Sequence, residues 1–218
     1  MARPIVKDAD ARRNTIVDGL IGVFKHRGYD GASLADLAAA TGIAKASLYH
    51  RYPGGKPELG RAALAEAGRR FAALILKPLQ TDKPAPERLR AMLEGVAVFY
   101  GDDSPACLMN TLTLGDALPL FGKDIRNTHN AWQKLIARAL EELGRSEAQA
   151  LDEAEDVIAR IQGALVISRL SARADSLSAM LERLRASLGT AGSEISRPEV
   201  SRPESSRPES SRPENSGS

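Results

Sequence analysis

One cysteine, Cys107, stands in 218 residues. No internal disulfide can form, and a reducing cytoplasm is the expected location. Aromatic residues make up only 4%. No segment alternates Val, Ile and Thr as a half-buried strand does, which argues against a sheet-based core. No apolar run approaches the roughly 20 residues that a membrane span needs. The opening MARPIVKDAD has no apolar signal core. No membrane partner is expected. Catalytic signatures are missing as well: no phosphate loop, no nucleophile elbow, and three histidines (His26, His50, His129) scattered without metal-ligand spacing. No enzyme activity, catalytic residue, cofactor or metal is expected.

What is present favours helices. Hydrophobic residues reach 43%, with Ala and Leu abundant. Charge is uneven. Residues 1–56 hold nine Lys and Arg against five acids, so the formal +2 divides into +4 there and −2 beyond. A polyanion partner fits that bias, and so does a plain solvated surface.

The spacing predicts about nine helices, an all-α fold. The first runs from Asp8 to Arg27, with Ile16, Leu20, Val23 and Phe24 on one stripe and Gly28 as a left-handed stop. Ser33 and Asp36 have capping-box spacing, so a second helix is expected from Ser33 to Ala40. Gly42 interrupts, a third short helix covers Ala44 to Tyr52, and Pro53-Gly54-Gly55 closes it. Two short helices about a glycine turn, behind a longer one, form a helix-turn-helix. A fourth helix is expected from Pro57 to Leu76 and a fifth from Pro86 to Tyr100. A sixth runs from a Ser104-Pro105 cap to near Gly115, and a seventh from Leu118 to Leu143. Ser146 and Gln149, again spaced as a capping box, open an eighth to Arg173. Asp175 caps a ninth with Leu177, Leu181, Leu184 and Leu188 on one stripe. The domains expected are 1–56 (helix-turn-helix), 57–189 (helical body) and 190–218, a disordered tail. In that tail SRPE recurs four times with almost nothing apolar to bury. It reads as a tether or as a neutral repeat expansion.

The stretch Ile16 to Leu59 resembles the DNA-binding region of TetR-like (tetracycline-repressor-like) transcriptional regulators. The resemblance rests on Arg27-Gly28-Tyr29, Ser33-Leu34, Leu37-Ala38, Gly42-Ile43, Leu48-Tyr49 and Lys56. It implies an N-terminal DNA-binding domain followed by a larger domain for ligand binding and dimerisation. It further implies that Lys45, Ala46, Ser47, Tyr49 and His50 face double-stranded DNA. Ser33 and Lys56 would clamp phosphates, with Arg3 and Lys7 as an arm. Ala44 departs from the family, which usually caps this helix with Ser or Thr.

The resemblance implies a homodimer on a palindromic operator. Its candidate faces are Val157, Ile158, Ile161 and Leu165 with the leucine stripe, although these faces can equally complete a monomer core. It also implies a small-molecule effector among the middle helices. Candidate lining residues are Phe71, Met92, Phe99, Met109, Asn110, Phe121, His129, Trp132 and Gln162. Cys107, placed in the first turn of the sixth helix, adds a candidate electrophile sensor, since helix N-termini favour thiolates; Asp102 and Asp103 oppose that. The expected function is a DNA-binding regulator, in the family's usual mode a repressor released by its effector. The rival is a helical interaction module without specific DNA binding.

Overall fold

Two left-handed glycines set the spacing of the first three helices. The structure, a computed structural model, describes residues 5–101, 106–171 and 175–189. Helix α1 (Ile5–Gly31) breaks at Gly28, whose φ of 69° and ψ of −179° suit glycine alone. Helix α2 (Leu34–Thr41) ends on Gly42 at φ 68°. Helix α3 (Lys45–Arg51) follows three residues later. The Arg3 arm, the Lys7 side chain, the Ser104-Pro105 cap and the repeat tail lie outside the described residues.

Helix α4 (Gly55–Phe71) begins two residues before the expected Pro57, because the Glu58 carboxylate reaches back to the Gly54 N–H at 2.7 Å. It continues through a π turn, Ala72–Leu76, and a last turn, Lys77–Leu79. The cause is chemical. Pro78 has no N–H to give the Leu74 carbonyl four residues back, and the wider π turn absorbs the fault. Helix α5 (Ala85–Tyr100) packs there through Gly95; a Cβ on Gly95 would sit 1.8 Å from the Leu74 oxygen.

The expected sixth helix is a single turn, α6 (Leu108–Thr111). Its continuation, Leu112-Thr113-Leu114-Gly115, is weakened by the β-branched Thr113 and the glycine, and Gly115 (φ 53°) redirects the chain. Helices α7 (Ala117–Glu141), α8 (Glu147–Ser171) and α9 (Ser176–Gly189) complete the body. Counting 55–79 as one helix, the described residues form nine helices and no strand. Among them no helix is long and apolar enough to cross a membrane.

One apolar core runs through the molecule. Leu20 and Phe24 of α1 meet Leu37 of α2 and Leu48 of α3, and continue into Leu59 and Phe71 of α4. In the body, Val157, Ile158, Ile161 and Leu165 of α8 are buried within the chain, as are Leu177, Leu181, Leu184 and Leu188 of α9. Both stripes complete the monomer core, so neither is an open dimer face. Their periodicity marks burial without naming what covers it.

Candidate nucleic-acid interface and core site

Of the seven residues of α3, only Leu48 is buried, at 1% exposed. It pins the helix on the core. Lys45, Ala46, Ser47, Tyr49 and His50 all face solvent, and Tyr49, a large aromatic, is 41% exposed. Ala44 is the N-cap residue, with φ −59° and ψ 145°, and supplies no side-chain cap. The Leu48 N–H donates to the Ala44 carbonyl at 3.0 Å, so the helix starts where the sequence suggests.

Ser33 caps α2 in a full capping box. Its hydroxyl accepts the Asp36 N–H at 3.1 Å and donates to the Asp36 carboxylate at 2.7 Å. These bonds from Ser33 hold the Asp36 carboxyl below its ordinary value, helped by Arg27 at 3.2 Å. The Ser33 donor is thus engaged inside the cap. Lys56 is also partly engaged: its Nζ donates to the Asp30 carbonyl at 3.3 Å and lies 4.7 Å above the Tyr29 ring. An ammonium has three donors, so others stay available.

The candidate effector residues fall in four places. Phe71, Phe99 and Trp132 form an edge-on aromatic cluster, with centroids 5.5 and 5.1 Å from Phe71; Phe99 in turn meets Tyr100 at 5.0 Å. The Tyr100 hydroxyl donates to Cys107 Sγ at 3.4 Å and accepts from Gln162 Nε2 at 3.3 Å. Met92 is fully buried in the same core. Phe121 is buried elsewhere, against Tyr29 at 5.4 Å, where α7 meets the end of α1. Asn110 and His129 lie on the exposed surface and line no interior site, which corrects their place in the candidate set. Met109 is buried at the start of α6.

Cys107 also differs from expectation. It is the N-cap residue of a four-residue helix, too short for a strong dipole, and is 4% exposed. Burial pushes the Tyr100 hydroxyl well above its ordinary range, with Cys107 adding to the shift. Burial pushes the Lys25 ammonium down, while the nearby Cys107 pulls it up. Tyr100 and Lys25 are the neighbours that sequence spacing does not reveal, because α1, α5 and α6 meet only on folding.

Two buried polar atoms in this region lack a partner: Trp132 Nε1 and Gln162 Oε1. A cavity of about 490 Å³ lies elsewhere, lined by 79–83, Arg88, Leu135, Arg138 and Glu142, and holds none of the candidate residues. Arg88 bridges its wall, donating to the Leu79 carbonyl at 3.1 Å and pairing with Glu142. Among the described residues no group of three or more His, Cys, Asp or Glu is placed to hold a metal ion.

Comparison with known proteins gives two family matches. Residues 16–63 match the model for bacterial regulatory proteins of the tetR family. Residues 84–183 match the C-terminal domain of LmrA/YxaF-like transcriptional regulators. Together they take in most of the chain. A curated relative, the HTH-type transcriptional regulator LmrA of Bacillus subtilis strain 168, is 24% identical over 161 residues, 72% of this chain and 85% of the relative. The biofilm operon icaADBC HTH-type negative transcriptional regulator IcaR of Staphylococcus epidermidis is 34% identical over 65 residues, 30% of this chain and 35% of the relative. In fold, the chain is similar to a TetR transcriptional regulator from Chloroflexus aurantiacus J-10-FL. The TM-score is 0.69 and identity 22%, covering 84% of this chain and 96% of that one.

Proposed function

The chain belongs to the tetR family of bacterial regulatory proteins, helix-turn-helix transcriptional regulators, and from that premise we propose that it is a cytoplasmic, operator-binding repressor whose reading element is α3. The observation that carries this is the exposed row of Lys45, Ala46, Ser47, Tyr49 and His50 around the single buried anchor Leu48. A short helix suffices, because only its first turns reach base edges in the major groove. Lys45 donates to guanine or to phosphate, Ala46 allows close approach to a thymine methyl, and Ser47, Tyr49 and His50 serve phosphates or bases. Ser33 holds the positive end of α2 at the edge of the head, where a phosphate fits. The free donors of Lys56 serve a second phosphate. Repression is supported by the name of the S. epidermidis relative, a negative regulator. The division into head 1–56, body 57–189 and tail 190–218 is part of the same reading.

A palindromic operator calls for a dimer. The face we assign to it is the outward side of α8. There a Cβ added to Gly163 would have nothing within 4 Å, Ile167 is 53% exposed and Leu170 82% exposed. Small and apolar residues in one stripe suit a helix-on-helix contact with a second copy.

The effector region is the cluster around Tyr100. Phe71, Phe99, Trp132 and Met92 offer apolar surface. The orphan Trp132 Nε1 suits an acceptor and Gln162 Oε1 a donor, so a mostly apolar small molecule with both groups fits. A second reading makes the effector an electrophile. The Tyr100 hydroxyl bonds Sγ and the Lys25 ammonium lies nearby, so Cys107 is the nucleophile in this reading. A Michael acceptor would then bond through its β-carbon to Sγ and take the thiol's proton at its α-carbon. DNA release by such a compound that persists in Cys107→Ser excludes this second reading.

The decisive experiment is a gel shift with the DNA upstream of the protein's own gene against mixed-sequence duplex, across a salt series. Specific binding is expected, with Lys45→Ala lowering the slope of log affinity against log salt by about 0.9 if Lys45 neutralises a phosphate. A folded protein that shows no specific shift at low salt would instead be a helical interaction module.

A further inference from the structure

Helix α7 has no side-chain cap of its own. Its N-cap residue, Asp116, makes no side-chain cap bond, although the first amides of any helix need outside acceptors. The Ala117 and Leu118 amides turn back to the Leu114 and Gly115 carbonyls at 3.2 and 3.4 Å, and Pro119 has no amide. The amide left is that of Asp116, and its acceptor comes from far away in sequence. The Asp116 N–H donates to Asp30 Oδ2 at 3.2 Å, across 86 residues. Asp30 belongs to the reading head, in the turn that Gly28 starts. The approach is shaped for that carboxylate: Gly115 has φ 53°, and a Cβ on it would lie 2.1 Å from Asp30 Oδ2.

The same turn holds two more helices. The Asp30 carbonyl accepts from Lys56 on the first turn of α4. Beside it, Tyr29 stacks on Phe24 at 5.9 Å and meets Phe121 edge-on. Phe121 in turn lies against Gly60 of α4, where a Cβ would come within 2.5 Å of Phe121 Cζ. Helices α1, α4 and α7 therefore converge on Tyr29-Asp30. Three turns further along the same rigid α7 stands Trp132, in the aromatic cluster.

We propose that Asp30 is a positioning residue that caps α7 from within the reading head, so that displacement of α7 at the aromatic cluster is passed to α3 at the DNA. This rests on the reading of α3 as the DNA contact and of that cluster as the effector region. A carboxylate suits the task. It meets the positive end of a 25-residue helix, and a hydrogen bond holds direction as well as distance.

The test is hydrogen exchange on the full chain, free and with mixed-sequence duplex at low salt, for wild type, Asp30→Ala, Asp30→Asn and Gly115→Ala. In the free protein, Asp30→Ala and Gly115→Ala should speed exchange at 116–120 by roughly 2- to 30-fold, the range set by loss of an ordinary cap. Asp30→Asn keeps an acceptor and should restore much of the protection. DNA should slow exchange in the wild type at both 33–52 and 116–121. In Asp30→Ala it should slow exchange at 33–52 alone, a separation that a merely stabilising residue would not produce. Unchanged exchange at 116–120 in free Asp30→Ala overturns the proposal. So does protection of 116–121 by DNA that survives the substitution, or that is missing from the wild type while 33–52 responds. No response at 33–52 in the wild type overturns the DNA reading instead, and the free-protein comparison still decides whether Asp30 caps α7.

Discussion

Leu48 shows how much one side chain can settle: with it buried, the rest of α3 is free to face outward. Ala44 is the weak point of that helix, since its extended backbone is right for a cap and its methyl cannot accept a bond. Ala44→Ser is expected to stabilise the protein by about 1 kcal/mol, seen as a rise of about 2–4 °C in thermal midpoint. A fall would place the helix start elsewhere. A second residue sets a pH limit. Two arginines, first Arg69 and then Arg70, hold the Glu66 carboxyl down at about 2 against an ordinary 4.5. Because the folded value is the lower one, this stabilisation is complete above about pH 4.5 and disappears as pH falls towards 2. Urea midpoints measured from pH 5 to 2 should fall less steeply in Glu66→Gln than in the wild type.

At the scale of elements, glycine decides how closely helices approach. Gly19 of α1 faces the Ala40 carbonyl of α2, where a Cβ would lie 2.3 Å from the oxygen, and Gly95 bears the same relation to Leu74. Backbone cannot step aside as a side chain tip can. Gly95→Ala should therefore cost about 1–3 kcal/mol, lowering the urea midpoint with little change in slope. Local signals such as helix caps are legible in the sequence. Ser33 with Asp36, and Ser146 with Gln149, form the reciprocal bonds that their spacing suggests. Gly28 and Gly42 take positive φ where stops are expected. The π turn is not legible, because Pro78 after a helical run suggests an end as readily as a widening. Phe121 enters the effector set on its apolar character alone. Its neighbours Tyr29 and Gly60 are distant in sequence, and only the fold brings them together.

For the whole molecule, the same limit explains the dimer faces. The stripes on α8 and α9 are apolar as their spacing indicates, and the chain buries them itself. The outward Gly163, Ile167 and Leu170 keep helical spacing too, but three residues with a glycine among them make too sparse a stripe for the sequence to single out. Leu170→Glu is expected to leave each protomer folded, since Leu170 is 82% exposed in the single chain, and to lower the thermal midpoint only by what dimerisation contributes. In sedimentation the variant should run as a monomer, and it should lose operator binding. A variant that still sediments as a dimer would move the interface elsewhere. The longest span of the molecule depends on the irregular middle of α4. Leu59, Ala63, Ala67, Phe71, Ile75 and Leu79 are all buried at strict intervals of four. In a regular helix such a series drifts steadily round the axis, because four residues overshoot a turn of 3.6. The five residues 72–76 turn more slowly and bring the series back into phase. They act as a rotational correction between the head end of α4 and the far end that Arg88 grips. Deleting one of them would give a regular helix and leave Leu79 close to its present phase, since the roughly 100° lost with the residue matches the under-rotation of the π turn. The Leu79 carbonyl should then keep Arg88, whereas deleting a residue from the regular part, 60–70, should swing it by about 100°.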